Sequence, residues 1–350
     1  MTDALASLST RRDAADAFRF HDIHPALRVG TASDRYAGWI GQIYPEDDYA
    51  DRVSSRSRTV GGERYSVRKV PIASVRDYFE HFGVLEIDFT FYRPLLEEDG
   101  ERSNTYHTLA SYAEHAPDDA AFLVKAPQMY SARTVRRGGD FVSNDSFLDT
   151  DGYRKRFEEP VQEILGDRLA GVILQQEYQR VSESPSPSDN VEAWDAFVDP
   201  LDPAVQLHLE LRSEHLLTPV YFDWLDERGL GHVFSQWTWL PPIRKQWSMC
   251  GKRFTAADGE AVARLLTPRD MKYKAAYKHA YPFDAPAEEL CDTQQAHDMV
   301  LDATALTYQA AAHNARLNLI CNNRAWGNAP DLARTIAHRI LDEEEKRGGT

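Results

Sequence analysis

The alternation Leu85-Glu86-Ile87-Asp88-Phe89-Thr90 sets two carboxylates on one face of a strand, and Leu207-His208-Leu209-Glu210-Leu211-Arg212 sets a histidine, a carboxylate and a guanidinium on one face of another. Glu86 and Asp88 are of the type that serves as general acid or base. Arg212 can stabilise developing negative charge, and Glu210 can orient the cations around it. Lys125, at the end of Phe122-Leu123-Val124-Lys125, has three readings: Schiff-base nucleophile, clamp on a phosphate or oxyanion, or counter-ion to Glu86 or Glu210. With carboxylates expected nearby its ammonium form is favoured, so the clamp or counter-ion reading is preferred over an amine nucleophile. Gln175, Trp237, Arg269, Tyr273, Asn322 and Asn323 complete a candidate substrate-binding set.

Those residues need elements that bring them together. Eight short strand-like runs alternate with helix-length amphipathic segments. The strands are expected at Leu27 to Ala32, Val84 to Tyr92, Phe122 to Ala126, Val172 to Gln176, Gln206 to Arg212, His232 to Gln236, Val262 to Leu266 and Leu317 to Asn322. Helical spacing occurs at Ile72 to Phe82, Thr105 to His115, Tyr153 to Leu165, Val191 to Phe197, Thr218 to Arg228, Ala287 to His313 and Pro330 to Glu345. The pattern predicts an α/β fold, a (β/α)8 TIM-like barrel in residues 26–345 behind an N-terminal extension, residues 1–25. A doubly wound open sheet is the alternative, but no Gly-x-Gly-x-x-Gly follows the first strand. Residues 46–69 read as a polar insertion after that strand, and residues 181–189 as a loop.

In a barrel the strands' C-terminal ends carry the active site, and the candidate residues do cluster at those ends. Basic residues follow the same strands: Arg133, Arg136 and Arg137; Arg244, Lys245, Lys252 and Arg253; Arg269, Lys272, Lys274 and Lys278. Tyr130, Trp237, Trp239, Tyr273 and Tyr277 are interleaved as stacking platforms. A structural reading competes, in which Glu210 and Arg212 merely neutralise Glu86 and Asp88 in a buried ion network.

Composition narrows the classes. The 350-residue chain carries a net charge of −15, which repels polyanions at long range and disfavours a non-specific nucleic-acid binder, though a surface adapted to high salt would look the same. No run approaches the length of a membrane span, and the N-terminus lacks an apolar signal core, so a cytoplasmic protein is expected. Cys250, Cys291 and Cys321 suggest neither a disulfide framework nor a zinc site. Cys321 reads as a packing residue. No His-Glu-x-x-His, calcium loop or Gly-x-Ser-x-Gly elbow occurs. No cofactor is expected; a divalent metal on His208, Glu210, Glu86 and Asp88 is the alternative.

The ordered series Val29-Gly30-Thr31-Ala32-Ser33, Gly38-Trp39-Ile40-Gly41 with Tyr44-Pro45, Leu85 to Tyr92, Phe122-Leu123-Val124-Lys125-Ala126-Pro127, Glu210-Leu211-Arg212 and Asn322-Asn323 with Gly327 resembles the YecE-like TIM-barrel family, domain of unknown function 72, over roughly residues 26–340. Three departures stand out. Asp88 replaces a usual Asn, Gln175-Gln176-Glu177 replaces Gln-x-Pro, and an Arg-x-His-Gly-like segment survives only as Pro268-Arg269-Asp270. The resemblance implies a barrel but no reaction. The residues themselves point to an enzyme acting on a phosphorylated or anionic small substrate, such as a sugar phosphate or a nucleic-acid end. The alternative is a non-catalytic binder of an anionic ligand or nucleic-acid structure.

Overall fold

The computed structural model describes residues 6–137 and 140–348. Eight parallel strands close into a barrel: β1 (Leu27–Ala32), β2 (Val84–Ile87), β3 (Phe122–Lys125), β4 (Leu169–Gln175), β5 (Leu207–Glu210), β6 (Gly231–Gln236), β7 (Glu260–Leu265) and β8 (Arg316–Cys321). Each pairs with its sequence neighbours, and β1 pairs with both β2 and β8 to complete the ring. The expected (β/α)8 barrel is therefore present. Helices such as Asn104–His115, capped by the Ser103 hydroxyl, bury Tyr106, Leu109 and Tyr112 and cover the outer face of the strands.

Side chains alternate between the lumen and the helix layer. Val84, Leu123, Ile173, Val233, Val262 and Ile320 form an apolar cluster of their own, apart from the larger core between strands and helices. They plug the barrel at mid-height, so that whatever lies on the next inward position of each strand sits on a dry floor.

Several expectations shift locally. The second strand stops at Ile87, because the chain turns at Asp88 into a 3-10 segment, Phe89–Tyr92. This takes Asp88 off the strand face. The polar segment 46–69 is an ordered insertion, with a β-hairpin, Ser54–Val60 against Glu63–Lys69. Gly61 and Gly62 form its two-residue turn at φ +58° and +90°, angles that glycine adopts without penalty. The hairpin seats Tyr65 on Tyr277, ring centres 5.0 Å apart. The loop ends earlier than expected, since Ser186 caps a helix, Pro187–Val198.

The N-terminal helix Leu8–Asp16 lies against the last helix, Ala329–Gly348. Arg11 pairs with Glu344, and its Nη1 donates to the Ile23 carbonyl at 2.9 Å. Among the described residues no helix is long and apolar enough to cross a membrane.

Candidate functional site

One step above the apolar plug, on the next inward positions of the same strands, stand Glu86, Lys125, Gln175, Ser235, Arg264 and, just past the end of β8, Asn322, joined by Glu210 of β5. Arg264 is the hub. Its Nε and Nη2 each lie 2.6 Å from the two Glu86 oxygens, a bidentate clasp, while Nη1 bonds Glu210. Glu210 also accepts from Arg212 Nη2 at 3.0 Å and from the Ser235 hydroxyl. Gln175 Oε1 accepts from Lys125 Nζ at 2.9 Å and from Arg212 Nη2 at 2.8 Å, tying the two remaining cations together. Aromatic rings cover both: Phe91 lies 3.8 Å from Lys125 Nζ and Trp237 4.4 Å from the Arg212 guanidinium carbon. The 3-10 turn that removes Asp88 from the strand is what carries Phe91 there.

The cup is buried and rich in cationic side chains. Lys125 and Arg212 are 6% exposed, Arg264 3%, and both glutamates are fully buried. Three cations thus face two carboxylates. Burial works against the Glu210 carboxylate, yet Arg212, Arg264 and Lys125 together outweigh it and hold its pKa down to about 2. Arg264, touching both glutamates, is held charged against its own burial. Arg212 touches only one, and burial brings its pKa down to about 10.

Lys125 is the least compensated, its pKa lowered to about 7 by burial first and by Arg264 next, against the pull of Glu86 and Glu210. This reverses the expectation that carboxylates would favour the ammonium form. The glutamates are there, but arginines have already claimed them. Arg212 Nε and Nη1 are buried without a hydrogen-bond partner, donors that water or a ligand must satisfy.

The other candidates are more scattered. Asp88, half-buried, accepts from the Ser33 hydroxyl at 3.3 Å. Tyr273 accepts from Arg58 at 3.1 Å and stacks under Arg324 at 4.7 Å. Asp88 and these three residues surround Tyr36 in an outer group beside the hairpin.

Asn322 and Asn323 have structural duties. The Asn322 side chain caps the short helix Asn323–Trp326, and Asn323 Oδ1 accepts from Ala329 N at 2.7 Å. Arg269 donates to the Leu240 carbonyl at 3.0 Å.

The positive rim is weaker than expected, because Arg244, Lys245 and Arg253 pair with Asp298, Glu214 and Asp223. The side chains of Arg136 and Arg137 lie outside the described residues. Tyr130 is wholly buried, which removes it as a platform, whereas Tyr178 and Trp239 are about half exposed with ring centres 5.2 Å apart.

Sequence reasoning missed Arg264, Ser235 and Phe91. The signal for Arg264 was an arginine in phase with Val262 inside an apolar strand, a position that demands buried partners. His208 is deeper, with both ring nitrogens buried and unpartnered and its pKa lowered by burial to about 3. A neutral imidazole there is a packing group, closely flanked by Gly171 and Gly231 of the adjacent strands. Glu86 is clasped by Arg264, and Glu210 by Arg264, Arg212 and Ser235, donors that a divalent cation would have to displace. Among the described residues no cluster of three or more His, Cys, Asp or Glu is placed to hold a metal.

The family model described as "Protein of unknown function DUF72" matches residues 28–348. The chain belongs to the DUF72 family. Two solved DUF72 structures are similar to it. The protein EF0366 from Enterococcus faecalis V583 is 13% identical, with TM-score 0.54 over 90% of this chain and 95% of that one. TM1631 from Thermotoga maritima MSB8 is 16% identical, with TM-score 0.51 over 90% and 99%. At such identities the likeness speaks for the shared DUF72 barrel alone. Among curated proteins none matches.

Proposed function

We propose that this DUF72 barrel is an enzyme whose cup binds a phosphorylated or otherwise anionic small substrate, a sugar phosphate or a nucleic-acid end. The observation that carries the reading is the buried set of basic groups, Lys125, Arg212 and Arg264 against Glu86 and Glu210, which carries net positive charge once Lys125 is protonated, with two Arg212 donors lacking hydrogen-bond partners. An anion would supply both the missing charge and the missing acceptors.

The chemistry expected of the carboxylates moves to the lysine. Glu86 and Glu210 are engaged by arginine, and Glu210 also by Ser235, so their role is to position guanidiniums. Lys125, with a pKa of about 7, is the group in the cup suited to accept and return a proton near neutral pH. An anion arriving beside it favours the ammonium form, so binding at pH 8 takes up a proton. The half-exposed rings of Tyr178 and Trp239 offer a surface for the sugar or base at the mouth.

Saturation of both carboxylates also favours the second reading, a protein that binds such a ligand without turning it over. Both are tested by thermal shift with inorganic phosphate, a panel of sugar phosphates and 5′-phosphorylated oligonucleotides, on wild type and Arg212→Gln. A phosphorylated probe should raise the wild-type midpoint and leave the variant unmoved. If none moves the wild type, the anion reading fails. Recovery of a bound probe chemically unchanged after long incubation would leave the binding reading in place of the enzyme.

A further inference from the structure

The hairpin after β1 turns two cations toward the barrel. Residues opposite each other in an antiparallel ladder share a face, and Arg58 stands opposite Tyr65, the ring seated on Tyr277. Lys69, four residues beyond Tyr65 on the same strand, shares that face. Arg58 Nη2 donates to the Tyr273 hydroxyl at 3.1 Å, and its guanidinium carbon lies 5.6 Å from the Tyr277 ring centre. From the barrel side Arg324, just past β8, lies 4.7 Å over the ring of Tyr273, with its Nε buried and lacking a hydrogen-bond partner.

The partners of both arginines are rings and a hydroxyl, and neither forms an ion pair among the described residues. Asp88 is the carboxylate that faces them, so Arg58 and Arg324 alone outnumber it, with Lys69 besides. Nearby Arg35 and the buried Asp34 offset each other. Arg58, Lys69 and Tyr92 are exposed, Tyr92 to 75%, so a ligand can reach them. The 3-10 segment joins this patch to the cup: the Phe91 ring centre is 3.8 Å from Lys125 Nζ and 5.6 Å from the ring centre of Tyr92.

We infer that Arg58, Lys69, Arg324 and Tyr92 form a second subsite for the ligand of the cup, and that this ligand is the end of a single-stranded nucleic acid, with its terminal phosphate in the cup, the next phosphate at the arginines and an unpaired base on Tyr92. The inference rests on the anion reading of the cup and selects within it. A sugar monophosphate has one anionic group and leaves the outer cations unanswered. A nucleotide chain repeats phosphate and base at each step, which is what alternating guanidiniums and an exposed ring can hold. The net charge of −15 repels the body of a long strand, which leaves its end as the part that the mouth can hold.

Calorimetric titration of the full chain tests this with thymidine 5′-phosphate, the 5′-phosphorylated thymidine dinucleotide and fructose bisphosphate, on wild type, Arg58→Gln, Tyr92→Ala and Arg212→Gln. Arg58 and Tyr92 are exposed, so their replacement leaves the fold intact. On wild type the dinucleotide should bind about tenfold more tightly than the mononucleotide, the effect of one added charge-assisted contact. Arg58→Gln and Tyr92→Ala should each reduce that gain and leave the mononucleotide unchanged, whereas Arg212→Gln should weaken both nucleotides alike. Equal binding of the two nucleotides, or a gain that survives in Arg58→Gln, would overturn the inference and leave the cup's anion reading standing. Fructose bisphosphate matching the dinucleotide would overturn it in favour of a bisphosphorylated sugar. If no phosphorylated probe binds at all, the anion reading fails and takes the inference with it.

Discussion

The two ends of the barrel use the same chemistry at different depths. β7 supplies Glu260 at one end and Arg264 at the other, with Val262 in the apolar plug between them. At the C-terminal end the guanidinium is 3% exposed and clasps Glu86 at 2.6 Å. At the N-terminal end Arg28 and Arg316 approach Glu260 only to 3.5 Å, with Arg316 about half in water. A buried ion pair cannot lose one partner without stranding the other, whereas a wetted one can. The same residue types therefore mean an obligatory cluster in the cup and an adjustable one at the opposite mouth.

The sharpest way to break this comparison is to remove the hub. Arg264→Met should leave two glutamates buried without their main partner and destabilise the fold by about 3–5 kcal/mol, read by urea denaturation at pH 7. Arg28→Met at the other end, where Glu260 keeps Asn318 and the half-exposed Arg316, should cost less, about 1–2 kcal/mol. Equal effects would mean that the cup is as wet as the opposite mouth, and the argument for a buried, cation-rich site would go with it.

Next in size is the packing beneath the cup. A Cβ on Gly231 would stand 2.0 Å from His208 Nδ1, so Gly231→Ala should cost about 1–3 kcal/mol through overpacking. Calorimetric melting of Gly231→Ala, His208→Ala and the double variant checks the contact. The double variant should be more stable than the sum of the singles implies. Strict additivity would place the imidazole elsewhere than between the two strands.

This steric fit bears on what the sequence could disclose. Glu86, Lys125, Gln175, Glu210 and Arg212 were legible because period-two alternation fixes which side chains share a face, and the barrel expectation fixes which end they reach. Arg264 was passed over because attention went to charges at strand ends, although its phase with Val262 placed it inward. Asp88 was misplaced because nothing in the alternation Leu85 to Thr90 signals that the strand stops at Ile87. Asn322 and Asn323 were harder to read, since a cap and a ligand-binding amide look alike until the following helices are seen. The lowered Lys125 pKa was out of reach, because it rests first on how deeply the cup is buried and then on the nearby Arg264.

Lys125 offers a pH-dependent version of the comparison. Its folded-state pKa of about 7 lies below the ordinary 10.5. Below pH 7 both folded and unfolded chains hold the proton, and the group contributes no slope. Between about 7 and 10.5 only the unfolded chain holds it, so stability should rise with pH, by at most about 1.4 kcal/mol per unit. Above that window the slope vanishes. Urea titrations of wild type and Lys125→Met from pH 6 to 9.5 isolate it: their difference should be flat below pH 7 and tilt in favour of wild type above. A flat difference throughout would return Lys125 to the counter-ion role.

The smallest expected effect is at the wet end, and its smallness is the point. Arg316→Gln removes one 3.5 Å contact to Glu260, leaving that carboxylate bonded to Asn318 at 2.6 Å and facing Arg28. Solvent replaces what is lost, so the melting midpoint should correspond to a change below about 1 kcal/mol, shrinking further as salt rises to 1 M. Thermal melts at low and high salt measure it. A large, salt-insensitive loss would mean that Arg316 and Glu260 form a buried structural pair, and the N-terminal mouth would then be as rigidly committed as the cup.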